Sequence, residues 1–167
     1  MIQTHESDKH EDDGSAKFFY VTKIYDSVVD KILDIISKNN FVDESFYSAT
    51  VNGFQTPNII HLFPKELLQD ILPVNNFYES LFHLHFINYK PGGSQNRHHH
   101  LMTEQYSFVL YLNDSDGDTV FESPINKNIT PKKGRLVVFS SDIMHFGLQT
   151  FKNKKVLVGA INRKKCI

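Results

Sequence analysis

The feature that most constrains this fold is a change of hydrophobic period near Phe82. Before it, apolar residues recur at helical spacing in residues 26–40 and, between two prolines, in residues 64–73. After it come short segments with the composition of β-strands: 82–87, 107–113, 119–122, 136–139 and 155–162. Two helices followed by a series of strands predict a mainly β fold with N-terminal helices, namely a double-stranded β-helix, or jelly roll.

Charge, cysteine content and hydropathy exclude several classes of function. The chain has 18 basic and 19 acidic residues, so no long-range field favours nucleic acid or an anionic membrane. No apolar run approaches the ~20 residues that span a bilayer, and the first ten residues lack the apolar segment of a signal peptide. The single cysteine, Cys166, cannot form an internal disulfide. We therefore expect a cytoplasmic protein without nucleic-acid or membrane partners; its oligomeric state is not predicted.

Four histidines form the clearest candidate site. His98, His99 and His100 are consecutive, and His145 follows 45 residues after His100. Imidazole is the commonest protein ligand of first-row transition metals. Side chains alternate along a strand, so His98 and His100 are expected on one face and His99 on the other. A close pair on one strand and a single histidine on a strand across a barrel predict a facial metal site.

The length of 167 residues suits one domain with a sizeable core. Residues 1–17 are polar, charged and without period, so we expect a disordered tail there. The rest, 18–167, is predicted to form a single jelly-roll domain. Within it, residues 18–80 supply the helical buttress and first strands, and residues 82–163 supply the metal-binding core.

Four motifs in residues 87–163 occur in a recognisable order. They are Asn-Tyr-Lys-Pro-Gly-Gly; Tyr-Leu-Asn with Gly-Asp-Thr-Val-Phe; Pro-Lys-Lys-Gly-Arg-Leu-Val-Val-Phe; and Ser-Asp-Ile-Met-His followed by a basic residue. This region, nearly half of the chain, resembles the 2-oxoglutarate and Fe(II)-dependent dioxygenases, most closely their prolyl-hydroxylase-like branch. The resemblance implies a dioxygenase-like jelly roll with Fe(II) and 2-oxoglutarate. It also implies hydroxylation of a protein side chain, such as a prolyl residue, or of a small metabolite.

The resemblance assigns the metal ligands. The family's triad is His-x-Asp/Glu … His, and its two histidines correspond to His98 and His145. The carboxylate position falls on His100, so a neutral three-histidine face leaves the metal its full 2+ charge and weakens the case for the usual oxygenase chemistry. Glu104 is an alternative third ligand if a local bulge brings it to the metal. No catalytic side chain is predicted beyond the metal ligands.

The resemblance also assigns the 2-oxoglutarate pocket. In the family, the distal carboxylate meets an arginine or lysine on the strand after the second metal histidine. Lys155 is assigned this role, with Lys154 as the alternative, because only one of two neighbouring residues can face inward. Tyr111 and Tyr89 correspond to family tyrosines close to the cosubstrate.

Two other functions stay open at this point. A three-histidine, cupin-like oxygenase would work without 2-oxoglutarate, and a non-catalytic jelly-roll module would only bind or support other molecules. His83 and His85 lie on an apolar strand and are expected to be packed or surface histidines rather than ligands. The substrate, a peptide or a small molecule, has no readable signature, because surface loops set specificity.

Overall fold

The computed structural model describes residues 4–9, 16–100 and 104–162, with side chains for 17–100 and 105–162. Within these ranges lie two α-helices, α1 (Asp26–Ser37) and α2 (Lys65–Ile71), and ten β-strands. The strands are β1 (Thr4–Lys9), β2 (Ala16–Lys23), β3 (Thr50–Gln55), β4 (Leu81–His98), β5 (Glu104–Tyr111), β6 (Thr119–Phe121), β7 (Lys127–Ile129), β8 (Arg135–Ser140), β9 (His145–Gly147) and β10 (Lys154–Asn162). The predicted mainly β fold with N-terminal helices is confirmed.

The described strands join one curled antiparallel sheet. Its order is β1-β2-β8-β5-β10-β4-β9-β6-β7, and β3 pairs separately with β4. Few strands that are neighbours in this sheet are also neighbours in sequence, so the sheet is assembled from distant parts of the chain. This interleaving brings β4 and β9, which carry the candidate ligands, side by side.

Consecutive residues of the central strands pack into two separate clusters on opposite faces of the sheet. The helix face carries Leu84, Leu110 and Leu157, which pack with buried residues of α1 and α2. The inner face carries the alternate residues of the same strands, for example Tyr111 and Val156. Both faces are buried, because the helices cover one and the sheet's own curl covers the other.

The helices follow the predicted pattern. The buried side chains of α1 are Val28, Val29 and Ile32; Ile32 lies one turn after the two valines, so the three form a single stripe. Helix α2 begins directly after Pro64, whose fixed φ suits a helix start. No helix in the described ranges combines the length and the apolar character needed to cross a bilayer.

The long strand β4 bends at two glycines before it reaches the candidate site. Gly92 has a φ of +90°, which side-chain-bearing residues rarely adopt. A Cβ on Gly93 would lie 2.7 Å from the carbonyl oxygen of Asn52. The Pro-Gly-Gly segment is therefore a bend within one continuous strand, which pairs with β10 before the bend and reaches β9 after it.

One strand lies inside the segment expected to be a disordered tail. The backbone of Thr4–Lys9 forms β1, antiparallel to β2 with Thr4 opposite Val21. The prediction of disorder differs from the structure over these six residues, because edge pairing needs backbone hydrogen bonds rather than an apolar pattern. Residues 1–3 and 10–15 of the expected tail lie outside the described residues. The division into residues 18–80 and 82–163 stays a prediction.

Candidate metal centre and cosubstrate pocket

Three imidazoles converge where β4 meets β9. His98, the last residue of β4, is paired directly with His145, the first residue of β9, and their ring centroids are 4.2 Å apart. His100 follows β4, and its ring lies 4.9 Å from that of His98. The candidate ligand atoms of the three residues all lie within 4.8 Å of one another. Nitrogens bound to one face of an ion at about 2.1 Å are separated by about 3 Å, so the rings must shift inward by roughly 1–2 Å to hold a metal.

Backbone carbonyls orient two of these rings. The Nδ1 of His98 donates to the carbonyl oxygen of Asn96 at 2.7 Å, and the Nδ1 of His145 donates to that of Ile143 at 3.0 Å. Because a carbonyl can only accept, each Nδ1 carries the proton and each Nε2 keeps its lone pair. This second hydrogen bond is the usual way in which proteins fix the tautomer of a metal-binding histidine.

The surroundings of His145 hold it in place. Its side chain is only 3 % exposed. The ring of Phe139 meets it edge-on at 4.9 Å, and that of Phe121 stacks on it at 5.8 Å. The loop before His145 is tied to β2 by an ion pair between Lys17 and Asp142. Packing and this tether therefore fix the ring before any metal arrives.

His99, the backbone of His100 and Glu104 complete the description of the predicted metal site. His99 is exposed, as strand alternation predicts. The backbone N–H of His100 donates to the carbonyl oxygen of Ser141 at 2.8 Å, which anchors the chain just beyond β4. Glu104 begins β5, but its side chain lies outside the described part of the protein, so its role as the alternative third ligand stays open.

A cavity of about 360 Å³ opens in front of the three imidazoles. Its wall is mixed in character, with apolar residues from the sheet and polar residues from β3 and β4. The polar lining residues outside the triad include Thr50, Gln55, His83, His85, Gln95 and Ser107. The prediction that His83 and His85 are packed or surface histidines therefore missed that they line this cavity.

A buried lysine lies beneath the same inner face. Lys154, the first residue of β10, is 4 % exposed, and its Nζ donates to the carbonyl oxygen of Gly117 at 2.7 Å. The ammonium also lies 5.2 Å from the ring centroid of Tyr89 and 6.0 Å from that of Tyr111. Burial lowers the pKa of Lys154 to about 8, although the carboxylates of Asp118 and Asp116 act in the opposite direction.

The prediction that Lys155 faces inward is wrong. Lys155 points toward the other face of β10 and is half-buried, whereas Lys154 shares the inner face with Val156. The error is one of phase: β10 is apolar on both faces, so its sequence does not show which residues point inward. The pairing of Lys154 with Tyr89 across β4 and β10 settles the register.

The two tyrosines assigned to the cosubstrate both lie beside this lysine. Tyr111 is fully buried, and its hydroxyl donates to the Oγ1 of Thr119 at 2.6 Å. Tyr89 is 3 % exposed and hydrogen-bonds with Thr50. Burial raises the pKa of both phenols, so both stay protonated donors at neutral pH. Thr119, which the sequence analysis missed, joins this group because β6 brings it opposite Gly147.

Comparison with known proteins points to one family. Residues 84–162 match the model of the 2OG-Fe(II) oxygenase superfamily. This match covers nearly half of the chain, so the chain is similar to this superfamily over that segment. The match supports the predicted class of an iron- and 2-oxoglutarate-dependent dioxygenase and its two cofactors at the level of the family. No curated protein sequence matches the oxygenase.

Solved structures resemble the oxygenase over most of its length. A prolyl-4-hydroxylase from Pseudomonas putida is 18% identical, with a TM-score of 0.65 over 87% of this chain and 92% of that one. A prolyl hydroxylase from Trichoplax adhaerens, in complex with a hypoxia-inducible-factor peptide fragment, is 12% identical, with a TM-score of 0.64 over 89% and 85%. HygX from Streptomyces hygroscopicus, with nickel and 2-oxoglutarate bound, is 10% identical, with a TM-score of 0.66 over 86% and 82%. At these identities the likeness establishes the fold, and the predicted jelly roll is confirmed.

Proposed function

We propose that this oxygenase hydroxylates a side chain of a peptide or a small metabolite, with Fe(II) at His98, His100 and His145 and with 2-oxoglutarate at Lys154. The observation that carries the proposal is the convergence of three imidazoles within 4.8 Å at one end of a cavity. The prolyl hydroxylases among the similar folds support a peptide-borne, prolyl-type side chain as one candidate substrate.

The donor set fits a ferrous ion. Three imidazoles on one side of an ion leave its other side open for a cosubstrate and oxygen, as in the facial sites of non-haem iron oxygenases. The carbonyls that accept from the Nδ1 atoms of His98 and His145 raise the basicity of each Nε2. When bound, Fe(II) and 2-oxoglutarate would activate molecular oxygen, which is the oxidant: one oxygen atom would enter the substrate and the other would enter succinate, with release of carbon dioxide.

The surroundings of Lys154 suit the distal carboxylate of 2-oxoglutarate. Within the described residues, no carboxylate forms an ion pair with this buried ammonium, and an uncompensated buried charge is unfavourable. A Cβ on Gly147 would lie 3.5 Å from the Nζ of Lys154. Gly147 is two residues from His145 along β9, or about 7 Å on the same face. A short dicarboxylate can therefore reach from the metal to Lys154.

The protein's own share of the reaction is positioning and the exclusion of water. The rings of Tyr89 and Tyr111 lie beside the ammonium of Lys154, and Tyr111 donates to Thr119, whose own hydroxyl proton is left to orient a carboxylate. Phe121 and Phe139 pack against the ring of His145 and shield it from water. The substrate enters through the cavity in front of the triad, since packed residues of the sheet enclose the triad on its other sides.

A three-histidine oxygenase that works without 2-oxoglutarate is the second candidate. The imidazole of His100 in place of a carboxylate favours it, because that donor set gives the metal no negative ligand. The buried ammonium of Lys154 favours the 2-oxoglutarate-dependent reaction. Anaerobic calorimetric titration of the iron-loaded protein with 2-oxoglutarate separates the two candidates, since only the first requires binding.

The proposed function is tested by removing a ligand. We expect His145→Ala to abolish iron-dependent succinate formation from 2-oxoglutarate, because His145 is the most deeply buried of the three imidazoles. The matched control is His61→Ala, which removes an exposed histidine far along the chain and should leave turnover unchanged. Unchanged succinate release in His145→Ala would remove the assignment of the metal site.

A further inference from the structure

Two further histidines face the candidate site from β4. His83 and His85 line the same cavity as His98, His100 and His145. In the sheet, His85 pairs with Val158 of β10, whereas Tyr89 pairs with Lys154. Residues 154 and 158 lie roughly 13 Å apart along one strand. The wall formed by these histidines is therefore at the opposite end of the inner face from the proposed cosubstrate pocket, and it is left to the primary substrate.

His85 offers this cavity a hydrogen-bond acceptor. Its Nδ1 lies 3.0 Å from the carbonyl oxygen of Thr56, so Nδ1 must carry the ring proton. Burial lowers the pKa of the imidazole, which keeps the ring neutral at pH 7. The Nε2 of a neutral ring with a protonated Nδ1 is an acceptor. In the described part of the structure this Nε2 forms no hydrogen bond.

Gln55 offers a donor on the same wall. It pairs with Ile87 across β3 and β4, so its side chain shares the inner face. The Oε1 of Gln55 accepts from the Oγ1 of Thr50 at 2.9 Å, which leaves the amide N–H groups for the cavity. The backbone of Gln55 is also held: its N–H donates to Asp43 at 3.1 Å, and its carbonyl accepts from the N–H of Glu44 at 2.7 Å.

We propose that His85 and Gln55 together bind a neutral carboxamide group of the primary substrate. The amide N–H of such a group donates to His85, and its carbonyl accepts from Gln55. An apolar group, such as a prolyl ring, would displace water from His85 and Gln55 and leave both side chains without hydrogen-bond partners. Binding of an apolar group is therefore disfavoured. The inference rests on the proposed function only for the reaction that follows binding, and it favours an amide-bearing side chain over an apolar one.

The test compares two probes that differ in the side chain alone: N-acetyl-L-asparagine methylamide and N-acetyl-L-leucine methylamide. They share their backbone amides and have side chains of similar size. We expect the wild-type chain, with Fe(II) and 2-oxoglutarate under anaerobic conditions, to bind the asparagine probe about tenfold more tightly in calorimetric titration, the size of one net hydrogen bond. His85→Phe and Gln55→Leu should each reduce this ratio to below about threefold. His85→Gln, whose carboxamide oxygen can accept, should keep most of it.

The control is His61→Phe, the same change at an exposed histidine outside the cavity, which should leave the ratio unchanged. Equal binding of the two probes to the wild type, no binding of either, or a preserved ratio in His85→Phe would overturn the inference. The same titrations on the metal-free chain separate it from the proposed function. A preference for the asparagine probe in a protein that fails to bind 2-oxoglutarate would sustain the carboxamide site and reject the 2-oxoglutarate-dependent reaction.

Discussion

At the scale of single residues, His100 decides the charge of the metal site. An aspartate at this position would restore the family's two-histidine, one-carboxylate set and lower the net charge of the loaded site by one. We therefore expect His100→Asp to retain Fe(II) and to raise the rate of succinate formation per iron. The measurement is metal content together with single-turnover succinate release.

Three further variants show whether His100 is itself a ligand. His99→Asp introduces the same carboxylate on the exposed neighbour and should change neither value. His100→Ala should weaken Fe(II) binding. An Fe(II) affinity equal to the wild type in His100→Ala, together with a loss in Glu104→Gln, would instead assign the third ligand to Glu104.

The charge state of Lys154 should make the affinity for 2-oxoglutarate depend on pH. Its pKa of about 8 in the free protein means that the ammonium is lost as the pH rises through 8, and binding of a dicarboxylate then requires uptake of a proton. We expect the Kd for 2-oxoglutarate to be constant below pH 7 and to rise by up to about tenfold per pH unit above 8. Calorimetry on the iron-loaded protein at pH 7 and pH 9 measures this.

Matched lysine variants sharpen the result. Lys154→Met should weaken binding of 2-oxoglutarate by roughly 10- to 100-fold at pH 7, the value of a hydrogen bond to a charged group. Lys155→Met should have no such effect, because that side chain lies on the other face of β10. Lys154→Arg should remove the pH dependence, since a guanidinium does not titrate in this range. Weaker binding in Lys155→Met alone would return the role to Lys155.

At the scale of elements, the bend in β4 delivers His98 to β9. Gly93→Ala would push a Cβ against the carbonyl oxygen of Asn52, so the strand must shift to relieve the clash. We expect this variant to lose about 1–3 kcal/mol in free energy of unfolding and to bind Fe(II) more weakly. Denaturant titration and metal analysis provide the measurements. Lys90→Ala, an exposed position of the same strand, is the control, and equal metal affinity in the two variants would contradict the role of the bend.

The same element marks where sequence reasoning succeeds and where it fails. The convergence of the three histidines was predictable in part, because the spacing of residues 98 and 100 places two of them on one face whatever the register. The inward lysine was not, because β10 is buried on both sides and carries no alternating pattern. His85 and Gln55 could not be assigned to the cavity either, since only the pairing of β3 with β4 and β10 brings them to it.

At the scale of the whole molecule, the site stores unfavourable free energy that ligands release. The fold holds a buried ammonium and three converging imidazoles. A carboxylate stabilises the ammonium, and a metal ion that accepts the lone pairs of the imidazoles stabilises the three rings. A ligand at 100 times its Kd stabilises the native state by about 2.7 kcal/mol. A domain of this size gains roughly 2–4 °C per kcal/mol. We therefore expect Ni(II), as a redox-inert metal, together with 2-oxoglutarate, each at about 100 times its Kd, to raise the Tm by roughly 10–20 °C.

Calorimetric scans of the full chain measure this shift, and pH gives an internal check. The part due to 2-oxoglutarate should shrink at pH 9.5, where Lys154 is neutral in the free protein. His145→Ala should show no rise with Ni(II). A rise of the same size in that variant would mean that the ion stabilises the fold from some other position.

The short ladder between β4 and β9 has a consequence for how the molecule opens. Only two paired positions join these strands, and β6 and β7 continue the sheet from β9. One of the two positions is the pair of histidines itself. A bound ion would thus act as a cross-link that fastens this three-strand edge to the rest of the barrel. Without the ion the edge loses this cross-link, so we expect amide hydrogen exchange there to report whether the metal is bound.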